Sequence, residues 1–553
     1  MTRRGGRLLV DQLLVHGTDT AFCVPGESYV AVLDGFFDAP IRLITCRHEA
    51  AAANMADAYG KLTGRPGICL VTRGPGATHA AVGVHTAFQD STPMILLIGQ
   101  VASQQEEREA FQELDYRRVF GQMAKWTAQI DRADRIPEYV ARAFTTACAG
   151  RPGPVVLALP EDMLASETDA ADARPFTIVQ PHPGREQLER LRGLLERAER
   201  PLAIVGGGRW TARTSEDLRV FLERNELPTG AAFRRQDTLD NDSRVYVGDV
   251  GIGVNPALAD RVRTSDLLLV VGARLGESTT SGYTLLEPPT PRQTLVHVHP
   301  GAEELGRVYR PELPILSGVE EFAAAVRDVS VEPRWQEWTA AARAEYEAWQ
   351  RHGPVPGAVD LGECIAQLRE RVPDAIVANG AGNYTVWAHR FWRFHSFPSQ
   401  LAPTSGAMGY GVPAAIAAKA LAPERTVLCF SGDGDFLMAG QELATAVQYD
   451  LPIVVIVVNN GMYGTIRMHQ ERQFPSRVVG TDLVNPDFAV YAQSFGAHGE
   501  VVAATDDFAP ALERALEARR PALLELRVDR EAITPQTTLS ALSAGRSCDH
   551  PVS

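Results

Sequence analysis

Gly432-Asp433-Gly434 and, after an apolar run, Asn459-Asn460 are residue types suited to holding a metal-bound diphosphate. Glycines let backbone N–H groups approach phosphate oxygens. The Asp433 carboxylate and the Asn460 side-chain oxygen are hard ligands of the kind Mg2+ takes while it bridges two phosphates. The two stand 27 positions apart. The pattern between them reads as a strand over 426–431, a glycine turn, a helix over 441–449 and a strand over 452–458. Both polar groups then fall at carboxyl ends of parallel strands, where open α/β sheets bind ligands. Taken alone, Gly-Asp-Gly fits any tight strand-to-helix turn equally well.

Other chemistry-bearing residues lie elsewhere. In Arg47-His48-Glu49, followed by alanines 50–53, a strand over 41–45 feeds a helix of small residues that permits close approach of another surface. Glu49 falls at the helix start, where the dipole favours an acid. Gly380-Ala381-Gly382-Asn383-Tyr384 closes a strand over 375–378. Met408 sits in the glycine-rich stretch 404–415, where methionine is ordinarily an adaptable filler.

Taken together, these stretches resemble the thiamine-diphosphate-dependent enzymes of the acetolactate synthase type. The match rests on the Arg-His-Glu string running to Ala58-Tyr59-Gly60, on the spacing from Gly-Asp-Gly to Asn-Asn, and on Phe22–Glu27, Arg73–Thr78 and Ala110–Glu113. It covers about residues 8 to 529. The resemblance implies that Glu49 protonates the cofactor's aminopyrimidine, so that the cofactor's own imino nitrogen takes the thiazolium proton. It implies that Asp433, Asn460 and the Met462 carbonyl bind Mg2+. Cofactor contacts would come from Pro25, Gly26, Gly382, Asn383, Tyr384, Gly406, Gly432, Gly434, Asp435, Tyr463 and Gly464, with Met408 wedged between the two rings. Phe111 and Gln112 would face the reacting groups, and Lys125 would lie near them.

The chain departs from that group in three places. Thr465 and His469 stand where the group has a methionine and a tryptophan that shape the acceptor pocket. Ser278 replaces an arginine that grips the acceptor's carboxylate, which removes a bidentate clamp; Arg234, Arg235 and Arg467 are the candidate substitutes. Glu27 stands where acetolactate synthases usually carry glycine and simple decarboxylases often carry an acid. His79 and His85 read as core or helix-surface residues. The leading expectation is decarboxylation of a pyruvate-like 2-oxo acid with carboligation of the remaining unit to a carbonyl acceptor. The alternatives are a simple decarboxylase releasing an aldehyde and a non-catalytic cofactor-binding relative.

The elements that must position these residues alternate between buried strands and amphipathic helices through each third of the chain. That alternation predicts α/β architecture with three doubly wound parallel sheets. Expected limits are 1–166 for a pyrimidine-binding domain, 185–330 for a central Rossmann-like domain, 355–530 for a diphosphate- and Mg-binding domain, and a tail or active-site cover over 531–553. Val205-Gly206-Gly207-Gly208 lacks a full dinucleotide fingerprint. FAD occurs in this domain in some of the resembled enzymes, and the departure after Arg274 counts against it here.

The 553 residues exceed one hydrophobic core. A net charge of 54 − 68 = −14 without a basic stripe excludes nucleic acid as the expected partner. Apolar runs are strand length, so no membrane span is expected. Seven scattered cysteines read as reduced core thiols of a cytoplasmic protein. The resemblance further implies a homodimer or tetramer with active sites at the subunit interface.

Overall fold

A computed structural model describes residues 2 to 351 and 353 to 544. Runs such as Gly67–Val71, Met94–Gln100 and Val454–Asn459 are apolar on both faces, which suits a parallel sheet covered by helices on each side. Three six-stranded parallel sheets result. Counted within its domain, the first sheet has strand order 2-1-3-4-6-5, formed by Arg42–Thr45, Thr20–Cys23, Gly67–Val71, Met94–Gln100, Pro154–Pro160 and Trp126–Gln129. The third repeats that order with Gln400–Leu401, Ile376–Asn379, Val427–Gly432, Val454–Asn459, Ala522–Arg527 and His498–Val502. The central sheet runs 3-2-1-4-5-6, the dinucleotide-domain order, with Pro201–Val205 and Leu267–Val271 at its switch point.

The outer two domains share one apolar core. The helix Glu49–Thr63 lies against the helices Pro75–Asp90 and Gly411–Leu421. Its alanines make that possible: a Cβ on Gly83 would fall 2.4 Å from the Ala53 methyl. Between the two domains, Lys61 Nζ pairs with Asp57 at 2.8 Å and with Asp90, and the Tyr410 hydroxyl donates to Asp57 at 2.8 Å. Burying two carboxylates there is tolerable because the ammonium and hydroxyl groups satisfy them.

The helix Gln336–Trp349, between the expected limits of the central and third domains, packs on the central domain through Trp335 and Tyr346, and Trp338 Nε1 donates to the Pro201 carbonyl at 2.9 Å. The segment after Asp529 folds back, with Leu539–Ser543 packed on the helix Gly464–Gln473 through Met468, Ile533, Leu539 and Leu542. Residues 545–553 of the expected tail, with Cys548, lie outside the described residues. The other six cysteines are buried and unpaired. Among the described residues no helix is long and apolar enough to cross a membrane.

Candidate active site

In the third domain the first and third strands are neighbours, so their following loops diverge and leave a crevice at the switch point. The crevice is a cavity of about 240 Å3, walled by Gly382, Asn383, Met408, Asp433, Asn460 and Ile466 among others. Gly432, Gly434 and Gly464 line it where a side chain would collide: an added Cβ would lie 3.0 Å from the Tyr384 ring, 2.5 Å from the Tyr463 ring and 3.1 Å from Ile533. Gly464 also opens a ten-residue helix, whose first-turn N–H groups lack intrahelical partners and suit an anion.

Asp433 is buried, and burial pushes its carboxyl above the usual carboxylate range, opposed by the Asn485 amide and the backbone N–H groups of Gly434 and Gly461. Asn485 Nδ2 donates 2.7 Å to Asp433 and 2.9 Å to Asn459 Oδ1. Asn459 is further tied to Glu525 at 2.8 Å, whereas Asn460 lines the cavity. The Asp433 carboxylate, the Asn460 amide oxygen and the Met462 carbonyl form an all-oxygen donor set, which fits Mg2+ and a diphosphate.

Asp435 and Tyr384 also border the cavity, but their polar groups face each other at 2.8 Å. Asp435 accepts in addition from Ser431 Oγ, Gly409 N at 2.7 Å and Ala381 N at 3.4 Å. Rather than offering free ligand atoms, this buried carboxylate ties together the three loops that carry Gly382, Gly406 with Met408, and Asp433. Gly380 exists for that tie, since a Cβ there would sit 2.1 Å from Asp435. Thr465 Oγ1 donates to Asn383 Oδ1 at 2.7 Å, and Asn383 reaches the Ile533 carbonyl at 3.3 Å. Ile533, unremarkable in the sequence, thus brings the returning segment onto the cavity wall.

The first domain has the matching crevice. Loops after its first and third strands meet where Ser28 Oγ lies 2.8 Å from Thr72 Oγ1. A Cβ on Gly26 would lie 2.4 Å from Thr72, and one on Gly74 would lie 2.9 Å from the Gln112 Cβ. Arg73 donates to the Phe111 carbonyl at 3.1 Å and pairs with Glu27 and Glu161 at 3.5 and 3.4 Å. Phe111 is 72% exposed, and Gln112 takes a left-handed φ of 66° with its buried Oε1 unpartnered. Glu49 opens its helix here: Oε1 is 3.3 Å from a Cβ placed on Gly76, and Oε2 is 2.9 Å from His79 Nδ1. Gly26, Glu27, Glu49, Phe111 and Gln112 therefore lie around the segment 72–76. His79 is exposed on the helix Pro75–Asp90, one of the two placements expected for it, and is in addition Glu49's partner. Lys125 stands apart at the amino edge of Trp126–Gln129, donating to the Ala149 carbonyl, with burial lowering its pKa to about 8.

The two crevices do not meet within one chain. No residue lining the cavity precedes Val355. The same chain's third domain touches the Glu49 loop from behind, where Glu442 accepts from Arg47 N at 3.0 and 3.2 Å and Tyr449 OH accepts from Thr45 N at 2.8 Å.

The proposed arginine substitutes do not line the cavity either. Arg234 donates to the Pro403 carbonyl, Arg235 to the Asp90 carbonyl at 3.1 Å, and Arg467 pairs with Glu471 at 3.0 Å. Ser278 and His469 are likewise outside its lining, and burial lowers the His469 pKa. In the central domain, the turn after Pro201–Val205 abuts the opposite loop, with a Cβ on Gly207 falling 2.0 Å from the Gly272 carbonyl. The space beside Gly207 and Gly208 is about 20 Å3.

Comparisons with known proteins agree with this geometry. Residues 3–119, 188–326 and 380–526 match the N-terminal TPP binding, central and C-terminal TPP binding domains of thiamine pyrophosphate enzymes. The chain is similar to the acetolactate synthase isozyme 2 large subunit of Escherichia coli (strain K12), 31% identical over 95% of each chain. It is 32% identical to the acetolactate synthase large subunit of Parasynechococcus marenigrum (strain WH8102), over 96% of this chain and 88% of the relative. With the acetolactate synthase of Bacillus subtilis (strain 168) it shares 29% identity over 95% and 93%. A three-domain match in order, with a metal-diphosphate crevice in one outer domain and a carboxylate crevice in the other, establishes that this chain belongs to the thiamine-diphosphate-dependent enzymes, in the acetolactate synthase group.

Proposed function

We infer that the protein decarboxylates a pyruvate-like 2-oxo acid and ligates the remaining unit to a carbonyl acceptor. The observation that carries this reading is the pairing of an oxygen-ligand crevice in one outer domain with a separate carboxylate at the carboxyl ends of the strands of the identically ordered sheet in the other. Thiamine diphosphate, when bound, supplies the acidic thiazolium carbon and the electron sink that decarboxylation requires. The chain's residues do the rest. Asp433, Asn460 and the Met462 carbonyl would hold the Mg2+ and through it the diphosphate, and the first turn of Gly464–Gln473 would offer N–H groups to phosphate oxygens. Glu49 would exchange a proton with the cofactor's ring nitrogen. Met408 and the Gly406 carbonyl fix ring orientation, and Ile466 and Ile533 keep water from the cavity. Gln112, with its buried oxygen unpartnered, and Phe111 border the reacting groups.

Because Glu49 and the cavity lie apart within one chain, the complete site takes Glu49 from one protomer and Asp433 from its partner. A homodimer is then the smallest active unit, and a tetramer a pair of such dimers. Glu27, exposed and held by Arg73, favours the second reading, aldehyde release without ligation. Incubating the purified protein with pyruvate, thiamine diphosphate and Mg2+, with and without added 2-oxo acid or aldehyde acceptors, decides between them. A C–C coupled product is expected; acetaldehyde alone would contradict ligation.

A further inference from the structure

Glu49 does not stand alone in its crevice. The His79 Nδ1 lies 2.9 Å from one carboxylate oxygen, Oε2, and the His79 ring stacks on His48 with centroids 4.7 Å apart and planes at 27°. His48 is itself fixed: it caps the helix Glu49–Thr63, its Nδ1 accepting from Ala50 N at 3.1 Å. That acceptor role places any neutral-ring proton of His48 on Nε2. The contact at 2.9 Å is a hydrogen bond between His79 Nδ1 and Glu49 Oε2. The other carboxylate oxygen, Oε1, faces Gly76, and there a single added methyl would already crowd it at 3.3 Å. The Glu49 side chain is 14% exposed, so its orientation is set by these neighbours rather than by water.

We propose that His79 is a positioning residue for Glu49: backed by the anchored His48 ring, it holds Oε2 and so leaves Oε1 as the oxygen presented to the cofactor ring. The proposal rests on the function inferred above, in which Glu49 exchanges a proton with that ring. A hydrogen bond at one oxygen narrows the carboxyl group's rotation, and preorganisation of this kind is what a proton-transfer group needs. Burial and the neighbouring His79 both hold the His48 pKa below its ordinary value, which keeps the backing ring uncharged beside His79.

The test is made on the full-length protein loaded with thiamine diphosphate and Mg2+, without substrate. The rate at which the bound cofactor's acidic carbon exchanges its proton for deuterium is measured by NMR after acid quench, for wild type, H79A and H79N. The H79N side chain retains an N–H donor near the Nδ1 position, whereas H79A has none. H79A is expected to slow exchange and kcat by ~10- to 100-fold, the range lost with a hydrogen bond to a charged group. Cofactor affinity and KM for the 2-oxo acid should stay within about threefold, because uniform binding is untouched. H79N should recover most of the exchange rate. Exchange in H79A equal to wild type, or H79N as slow as H79A, would overturn the proposal. Wild-type exchange no faster than that of free cofactor would instead overturn the inferred function together with it.

Discussion

Asn485 is the residue on which the metal crevice most depends without contributing a ligand. It donates to Asp433 and to Asn459, and so orients the one carboxylate of the donor set. Groups of this kind typically account for ~10- to 100-fold in metal affinity. Asn485→Ala should therefore raise the Mg2+ concentration for half-activation by that factor, with little change in KM for the 2-oxo acid; an unchanged Mg2+ titration would exclude the role. Glu49→Gln should lower kcat by ~10²- to 10⁴-fold, the usual contribution of a positioned proton-transfer group, while cofactor binding persists. Activity retained in that variant would remove Glu49 from the chemistry. Asp433, Asn460 and Glu49 were legible in the sequence because glycine turns and a helix start surround them. Asn485 and His79 were not, since each acts through one tertiary contact from a segment with no local pattern of its own. Asp435 was legible as part of a motif, but its burial beneath Tyr384 and Gly409 shows only in three dimensions.

The long apolar strands were readable along the chain: the run read as a strand over 452–458 folds as Val454–Asn459. Strands left unread are short or mixed: Gln400–Leu401 has two residues, Thr229–Ala232 is small and glycine-bearing, and His498–Val502 is a half-buried edge. Pairing with a central neighbour, rather than propensity, makes them strands. The glycine loops are similarly constrained by what they face. Gly380→Ala should destabilise the third domain by about 1–3 kcal/mol, the cost of overpacking, because the Asp435 carboxylate cannot retreat without releasing three loops. Denaturant unfolding followed beside cofactor affinity checks this, and an unaffected variant would contradict it.

A second element-level contact joins the central and third domains. The Asp240 hydrogen bond at 3.3 Å raises the His395 pKa, against burial and with help from Asp242. A raised histidine stabilises most below its unfolded value of about 6.5 and loses that contribution as pH rises through the folded value. His395→Gln should thus lower stability more at pH 6 than at pH 8. Equal losses at both pH values would rule the contact out.

At the scale of the molecule, the outer domains are the same topology used twice for opposite purposes. One crevice is lined with glycine N–H groups and oxygen ligands, the other with a single oriented carboxylate, and the chain's own packing keeps them apart. Charge and composition indicated a multidomain α/β protein, but nothing local in the sequence reports that the two crevices face away from each other within one chain. That separation is why the proposed site draws on a second protomer. The most direct test mixes two inactive variants, Glu49→Gln and Asp433→Ala, under conditions that exchange subunits. If the site is built across protomers, each mixed dimer holds one crevice pair with both native residues, and statistical mixing should restore roughly a quarter of wild-type activity. Mixed dimers demonstrated by mass but devoid of activity would place Glu49 and Asp433 in the same chain's site and contradict the account.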